Sequence, residues 1–252
     1  MGRLELVGIS KQFGSVVAVD AVDLCVDAGE VVTLLGPSGS GKTTVLRIAA
    51  GLEEPSTGSV TIDGRPPAAA RAEKRIGLVP QAPALLPWRT VRANARLLLD
   101  VNRRAVPAGT PDPEDLLREV GLGDFLEAHP HELSGGMQQR VALVRAFALG
   151  GSMLLMDEPF AALDEITRAE MRHLLGRLCE ATRASVLFVT HSLAEAAFLS
   201  DRVVVLTARP GRVVGVVPVD LPRPRTADLE DDARFFGLET TFRHLLRNGS
   251  AA

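Results

Sequence analysis

The run Gly36-Pro37-Ser38-Gly39-Ser40-Gly41-Lys42-Thr43-Thr44 completes the pattern G-x-x-x-x-G-K-[ST]. An apolar segment, Val31-Val32-Thr33-Leu34-Leu35, precedes it, and the helix-like segment Val45 to Ala50 follows. Strand, glycine-rich loop and helix in that order form a phosphate site and tie the chain to an α/β fold. The glycines let the backbone turn tightly enough to aim successive N–H groups at phosphate oxygens. The helix adds the positive end of its dipole. In such a loop Lys42 reaches the β- and γ-phosphates of a nucleotide, and the Thr43 hydroxyl is placed for Mg²⁺.

Composition narrows the surroundings of this site. The 252 residues are 46% hydrophobic and 23% charged, enough for an ordinary core and unlike a disordered chain. A net charge of −3 gives no basic stripe, so nucleic acid is not expected as a partner. The two cysteines, Cys25 and Cys179, are far apart and form no Cys-x-x-Cys pair. That argues against a structural zinc site and fits a reducing compartment. Met1-Gly2-Arg3-Leu4-Glu5 lacks an apolar signal core, and no apolar run reaches the roughly 18 residues needed to span a bilayer. Any membrane role is therefore expected to pass through a partner protein.

The periodicity of apolar residues divides the chain. Residues 3–33 and Ser59 to Ile62 alternate like strands, with turns at Asp27-Ala28-Gly29-Glu30 and Asp63-Gly64, so the opening region is expected to be antiparallel. From about 85 to 150 the spacing becomes helical. Asp112-Pro113-Glu114-Asp115 supplies a cap, a proline at the first helical position and acids in the first turn; Gly121 can end that helix, and Pro107 to Pro113 reads as a loop. Ser134 can cap a helix from Gly135 to Leu149 with a stripe at Met137, Val141, Val144 and Ala148. Met153 to Met156 and Val186 to Val189 are apolar on both faces, as in a covered parallel sheet, with Glu165 to Glu180 as the crossover helix. Val203 to Leu206 and Val213 to Val217 are further strands. Beyond Pro222 a charged, proline-rich tail leads into a partly ordered helix with Phe235, Phe236 and Phe242.

Two further motifs carry chemistry. Asp157-Glu158 emerges at the carboxyl end of the strand Met153 to Met156, where ligands sit in open α/β sheets. Asp157 is placed to hold Mg²⁺, and Glu158 to polarise a water beside the γ-phosphate. Leu133-Ser134-Gly135-Gly136-Met137-Gln138-Gln139-Arg140 offers a second anion site: a serine hydroxyl, two glycine amides and a helix N-terminus. Alone, each is a common sequence; between them and the loop at 36–44, the three form a set.

With these residues in this order the chain resembles the ATP-binding-cassette (ABC) ATPases along nearly its whole length. The resemblance implies a P-loop NTPase fold: a mainly parallel sheet core, an N-terminal antiparallel β subdomain and a helical subdomain at about 85–150, in one ATPase domain over 1–225, with a tail at 226–252. It implies ATP and Mg²⁺ as ligands. Gln81 matches the glutamine that touches Mg²⁺ and the attacking water, and His191 the histidine at the γ-phosphate. Asp164, in Ala161-Ala162-Leu163-Asp164, matches the family's D-loop and is implied to be among the ATP-binding residues. Phe13 stands where the family stacks an aromatic ring, usually tyrosine, on adenine; a phenylalanine keeps the ring face. Ser134 and Gly136 of one copy are implied to cover ATP bound in a second copy, with Gly135 and Gln138 of the same motif also implied to bind the nucleotide.

Within the family, Pro83-Ala84-Leu85-Leu86-Pro87-Trp88-Arg89-Thr90-Val91 with Asn94, Asp157 to Asp164, and Leu206-Thr207-Ala208-Arg209-Pro210-Gly211 are similar to the nitrate/sulfonate/taurine importer group. That implies an ATP-hydrolysing importer subunit, peripheral on the cytoplasmic face of the cell membrane. Its partners would be transmembrane permease subunits and, indirectly, a solute-binding protein. Leu85, Leu86 and Trp88 are candidates to grip the permease, or to pack within the helical region. The alternative reading is a soluble, non-transport ABC ATPase acting on ribosomes or DNA.

Overall fold

The computed structural model describes residues 2–102 and 110–249. Residues 107–109 of the expected loop before Pro113 lie outside the described residues.

Two sheets share the N-terminal half. β1 (Leu4–Phe13), β2 (Val16–Val26) and, later in the chain, a strand at Thr57–Ile62 pair antiparallel, with β1 in the centre. β3 (Val31–Leu35) leaves this sheet for the centre of the second and leads through the glycine-rich loop into α1 (Lys42–Ala49). After β4 (Thr57–Ile62) come α2 (Pro67–Ala72) and β5 (Ile76–Val79), neither of them anticipated from sequence. α2 is six residues long and β5 four, too short for periodicity to declare itself.

The second sheet has the order β5-β6-β7-β3-β8-β9, where β6 is Met153–Asp157, β7 Ser185–Thr190, β8 Arg202–Leu206 and β9 Val213–Pro218. All neighbours are parallel except β8 and β9. The fully apolar strands have a plain cause, since both faces of the sheet are covered. Val31, Leu35, Leu154, Met156, Val186, Phe188, Val203 and Val205 enter one core, and Val32, Leu34, Met153, Leu155, Leu187, Val189, Val204 and Leu206 enter the other. Alternation thus survives as a choice between two cores rather than between core and water.

Helices α3 (Val91–Val101), α4 (Pro113–Glu119) and α5 (Gly135–Phe147) occupy the region where the spacing is helical. Asp112 caps α4 as expected, accepting from the amides of Glu114 at 2.7 Å and Asp115 at 3.4 Å, with Pro113 at the first position. α5 starts at the expected cap but ends two residues before Leu149. Its second half is buried all round, including Leu143, Ala146 and Phe147, so the expected stripe is only part of a wider apolar surface. α6 (Glu165–Thr182) is the crossover between β6 and β7. α7 (Leu193–Leu199) follows β7, and α8 (Ala233–Gly249) closes the chain. α8 is continuous, and Phe235 and Phe242 are buried in the first core, while Phe236 faces outward. Cys179 is buried, and burial pushes its thiol up to about 12; Cys25 is half-buried. No helix among the described residues is long and apolar enough to cross a membrane.

Candidate nucleotide site

The glycine-rich loop emerges at the carboxyl end of β3, the strand flanked by β7 and β8. Gly41 has φ +80°, and a side chain there would put Cβ 2.6 Å from Val19 Cγ2 and 2.7 Å from the Ala18 carbonyl. The position therefore demands glycine twice, for its dihedral and for the approach of β2. Lys42, only 4% exposed, turns back into the loop; its ammonium donates to the carbonyls of Gly36 at 2.8 Å and Pro37 at 3.0 Å. Burial pulls its pKa below the usual lysine range, opposed by the Glu158 carboxylate 3.6 Å away.

The carboxylates of β6 arrive from the next strand but one. Asp157 pairs in register with Val189 of β7, and the following Glu158 amide donates to the Val189 carbonyl at 2.9 Å. Glu158 has φ +41°, a left-handed conformation that costs a non-glycine residue about 1 kcal/mol or more and recurs where a site dictates geometry. The turn it makes aims its carboxylate between Lys42 and His191, whose Nδ1 lies 2.9 Å from Glu158 Oε2. The Thr43 hydroxyl donates to Asp157 Oδ1 at 2.9 Å. Burial raises the Asp157 pKa, with that hydrogen bond acting in the opposite sense.

These residues border a cavity of about 440 Å³ lined by Phe13, Val16, Ala18, Ser38 to Thr44, Gln81, Glu158 and Arg209. Gly36, Pro37, Asp157 and His191 are outside this lining, and each is bonded to a residue of the wall. Phe13 is 47% exposed, and Lys11 Nζ lies 5.0 Å from its ring centroid. A larger concavity, about 870 Å³, lies between α6 and the ends of α4 and α5. Two of its three arginines are already matched by acids, Arg140 with Glu170 at 3.0 Å and Arg172 with Glu230 at 2.6 Å, and it holds no loop shaped for phosphate.

Five expected site residues are elsewhere. Ser134 caps α5 by accepting from the Met137 amide at 3.2 Å. Gln138 donates back to the Pro130 carbonyl at 2.9 Å. Gly135 and Gly136 begin α5, and a Cβ on Gly136 would stand 2.7 Å from Thr167 Cγ2. Asp164 caps α6, accepting from the Thr167 amide at 3.0 Å and hydroxyl at 2.8 Å. The Ser134 turn and the Asp164 loop thus adjoin each other through Thr167, away from the cavity. Sequence reasoning missed Val16, Ala18 and Arg209 as wall residues. No motif assigns them to the cavity, because only the pairing of β1 with β2 and the β8–β9 turn bring them there.

The sequence model of the ABC transporter family matches residues 19–161, from β2 through the Glu158 turn. The chain belongs to the ABC transporter family. Among its relatives is an aliphatic sulfonates import ATP-binding protein of Xanthomonas axonopodis pv. citri, 41% identical over 91% of this chain and 91% of that one. A nitrate import ATP-binding protein of Synechocystis sp. is 38% identical over 97% of this chain and 95% of its own. A bacterial ABC transporter cassette solved as a dimer superposes with a TM-score of 0.75 at 31% identity, covering 87% of this chain and all of that one. This ABC protein is an ATP-binding subunit of a transporter, and ATP hydrolysis is its activity.

Proposed function

We propose that this ABC subunit drives import of a small oxyanion, such as a sulfonate, taurine or nitrate, by closing over ATP as a pair with a second copy of itself. The observation that carries the catalytic part is the position of Glu158 between Lys42 and His191 at the mouth of the glycine-lined cradle. In this reading Phe13 stacks on the base, and residues 36–44 and Lys42 hold the phosphates. Glu158, aided by Gln81 and His191, takes a proton from the water that attacks the γ-phosphorus, as the bond to the bridging oxygen breaks and ADP leaves.

The residues present suit Mg²⁺. Thr43 Oγ1 and Asp157 Oδ1 are two hard oxygens 2.9 Å apart, and Gln81 adds a third on the cavity wall. Among the described residues no group of three or more His, Cys, Asp or Glu could hold a metal alone, so phosphate oxygens would complete the shell. The ion would neutralise charge developing on the phosphates.

The exposed Ser134 turn supports the second copy: it faces away from its own chain's cavity, as a lid for another's would. Ser134, Gly135, Gly136, Gln138 and Asp164 then act across the pair. The relatives named for nitrate and sulfonate import support an importer of the same class. In this reading Trp88, 72% exposed, meets a permease together with Leu85 and Leu86, and the subunit sits peripherally on the cytoplasmic membrane face. A solute-binding protein would select the solute. We read 1–225 as the ATPase domain, with 85–150 as its helical part and 226–252 as a tail. Glu158→Gln is the test: ATP binding should persist while turnover falls at least about 10²-fold. Unchanged steady-state hydrolysis would remove Glu158 from the role of base.

A further inference from the structure

The β8–β9 turn carries a cation that the catalytic reading leaves unused. Thr207 organises the turn: its hydroxyl donates to the Pro210 carbonyl at 2.6 Å and accepts from the Arg212 amide at 2.9 Å. The turn is then fastened to β2, beside the nucleotide loop. The Gly211 amide donates to the Ala18 carbonyl at 3.0 Å, and the Gly211 carbonyl accepts from the Asp20 amide at 3.0 Å. A Cβ on Gly211 would stand 2.0 Å from the Ser40 carbonyl oxygen, so the two backbones touch.

Two arginines of this turn have different fates. Arg212 is neutralised by Asp20, its Nε 3.0 Å from the carboxylate. Arg209 makes no ion pair with any carboxylate among the described residues. Its side chain lies along the cavity wall, with Nη2 3.6 Å from where a Cβ on Gly39 would stand. The only other cation of that wall is Lys42, which already faces Glu158.

We propose that Arg209 is a nucleotide-binding residue of its own subunit, which places its guanidinium on the phosphates held by the loop at Ser38–Gly41. This rests on the reading of the cavity as the nucleotide site. The physical reason is economy of geometry. A guanidinium is always charged, weakly hydrated and forked, so it can contact two phosphate oxygens without first losing another partner. The rigid turn beneath it limits the entropy lost on binding. Lys42 serves the interior of the loop, and Arg209 its outer rim.

The full-length protein tests this by displacement of a fluorescent ATP analogue with ATP, ADP and adenosine, in the wild type, Arg209→Ala, Arg209→Lys and Lys42→Ala. Arg209→Ala should weaken ATP and ADP by about tenfold and leave adenosine unchanged. Arg209→Lys should recover part of the loss, keeping charge without the fork. Arg209 is exposed, so the circular dichroism melt should not move; if it does, Arg209→Gln gives the same comparison with a side chain of similar reach. Wild-type affinity for ATP and ADP in Arg209→Ala, alongside a loss in Lys42→Ala, would overturn the role of Arg209 alone. Wild-type affinity in both would overturn the cavity itself. An equal loss for adenosine would assign Arg209 to the base or the wall and end the phosphate proposal.

Discussion

Two glycine-rich turns stand at helix N-termini in this protein, and their surroundings differ. The turn at Gly36–Thr43 is walled in by its own chain: β2 presses on Gly41, the β8–β9 turn on Ser40, and the carboxylates of β6 approach Lys42 and Thr43. The turn at Ser134–Gly136 has its serine exposed, and nothing lies within 4 Å of a Cβ built on Gly135. One turn is a nearly finished site and the other lacks its opposite wall. Shared local chemistry, N–H groups at a helix start, therefore leads to different roles according to what the fold brings opposite.

The sharpest way to break this contrast is to remove Lys42. Its ammonium is buried and central to the walled turn, so Lys42→Ala should lower ATP affinity by about 10²-fold, read by displacement titration of the single subunit. A near-wild-type affinity would mean that the walled turn is not where the phosphates bind. Ser134 should behave in the opposite way. Ser134→Gly keeps most of the helix cap, costing only a few tenths of a kcal/mol, whereas Ser134→Ala costs about 1 kcal/mol. Both should leave ATP affinity of the isolated subunit intact, yet slow hydrolysis by about 10²-fold when two copies assemble. If rate tracks only the melting temperature across the two variants, Ser134 is a cap and nothing more. The smallest change is expected at Trp88. Its exposure predicts a stability change within about 0.5 kcal/mol for Trp88→Ala and unaltered hydrolysis by the isolated subunit, with solute uptake lost in cells carrying the permease. A large drop in melting temperature would instead make Trp88 a packing residue of the helical region.

Much of this was legible because it is local. The Asp112 and Ser134 caps lie where side chain and backbone are within three residues of each other, and the apolar runs at Val31, Met153 and Val186 announced a sheet covered on both faces. α2, β5 and α7 were not legible: each offers seven residues or fewer to any periodicity, and none has the Asp-Pro-Glu-Asp start that marks α4. Resemblance to the ABC family supplied Gln81, His191 and Phe13, which single-residue chemistry could not have selected from other glutamines, histidines and aromatics.

The chain by itself determined which groups are available: a cradle of glycines with one lysine, a carboxylate pair after a buried strand, and a serine at a helix start. Only the tertiary structure decided which of them meet. Thr43 reaches Asp157 across 114 positions and Glu158 reaches His191 across 33, and both depend on β3, β6 and β7 lying side by side. Arg209 lies in a segment similar to the importer group, but nothing in the sequence places it beside Gly39, because backbone contact between Gly211 and Ser40 puts it there. The reason is one of range. Caps and periodicity act over a few residues, whereas strand order is set by burying two apolar faces at once, a condition on the whole chain.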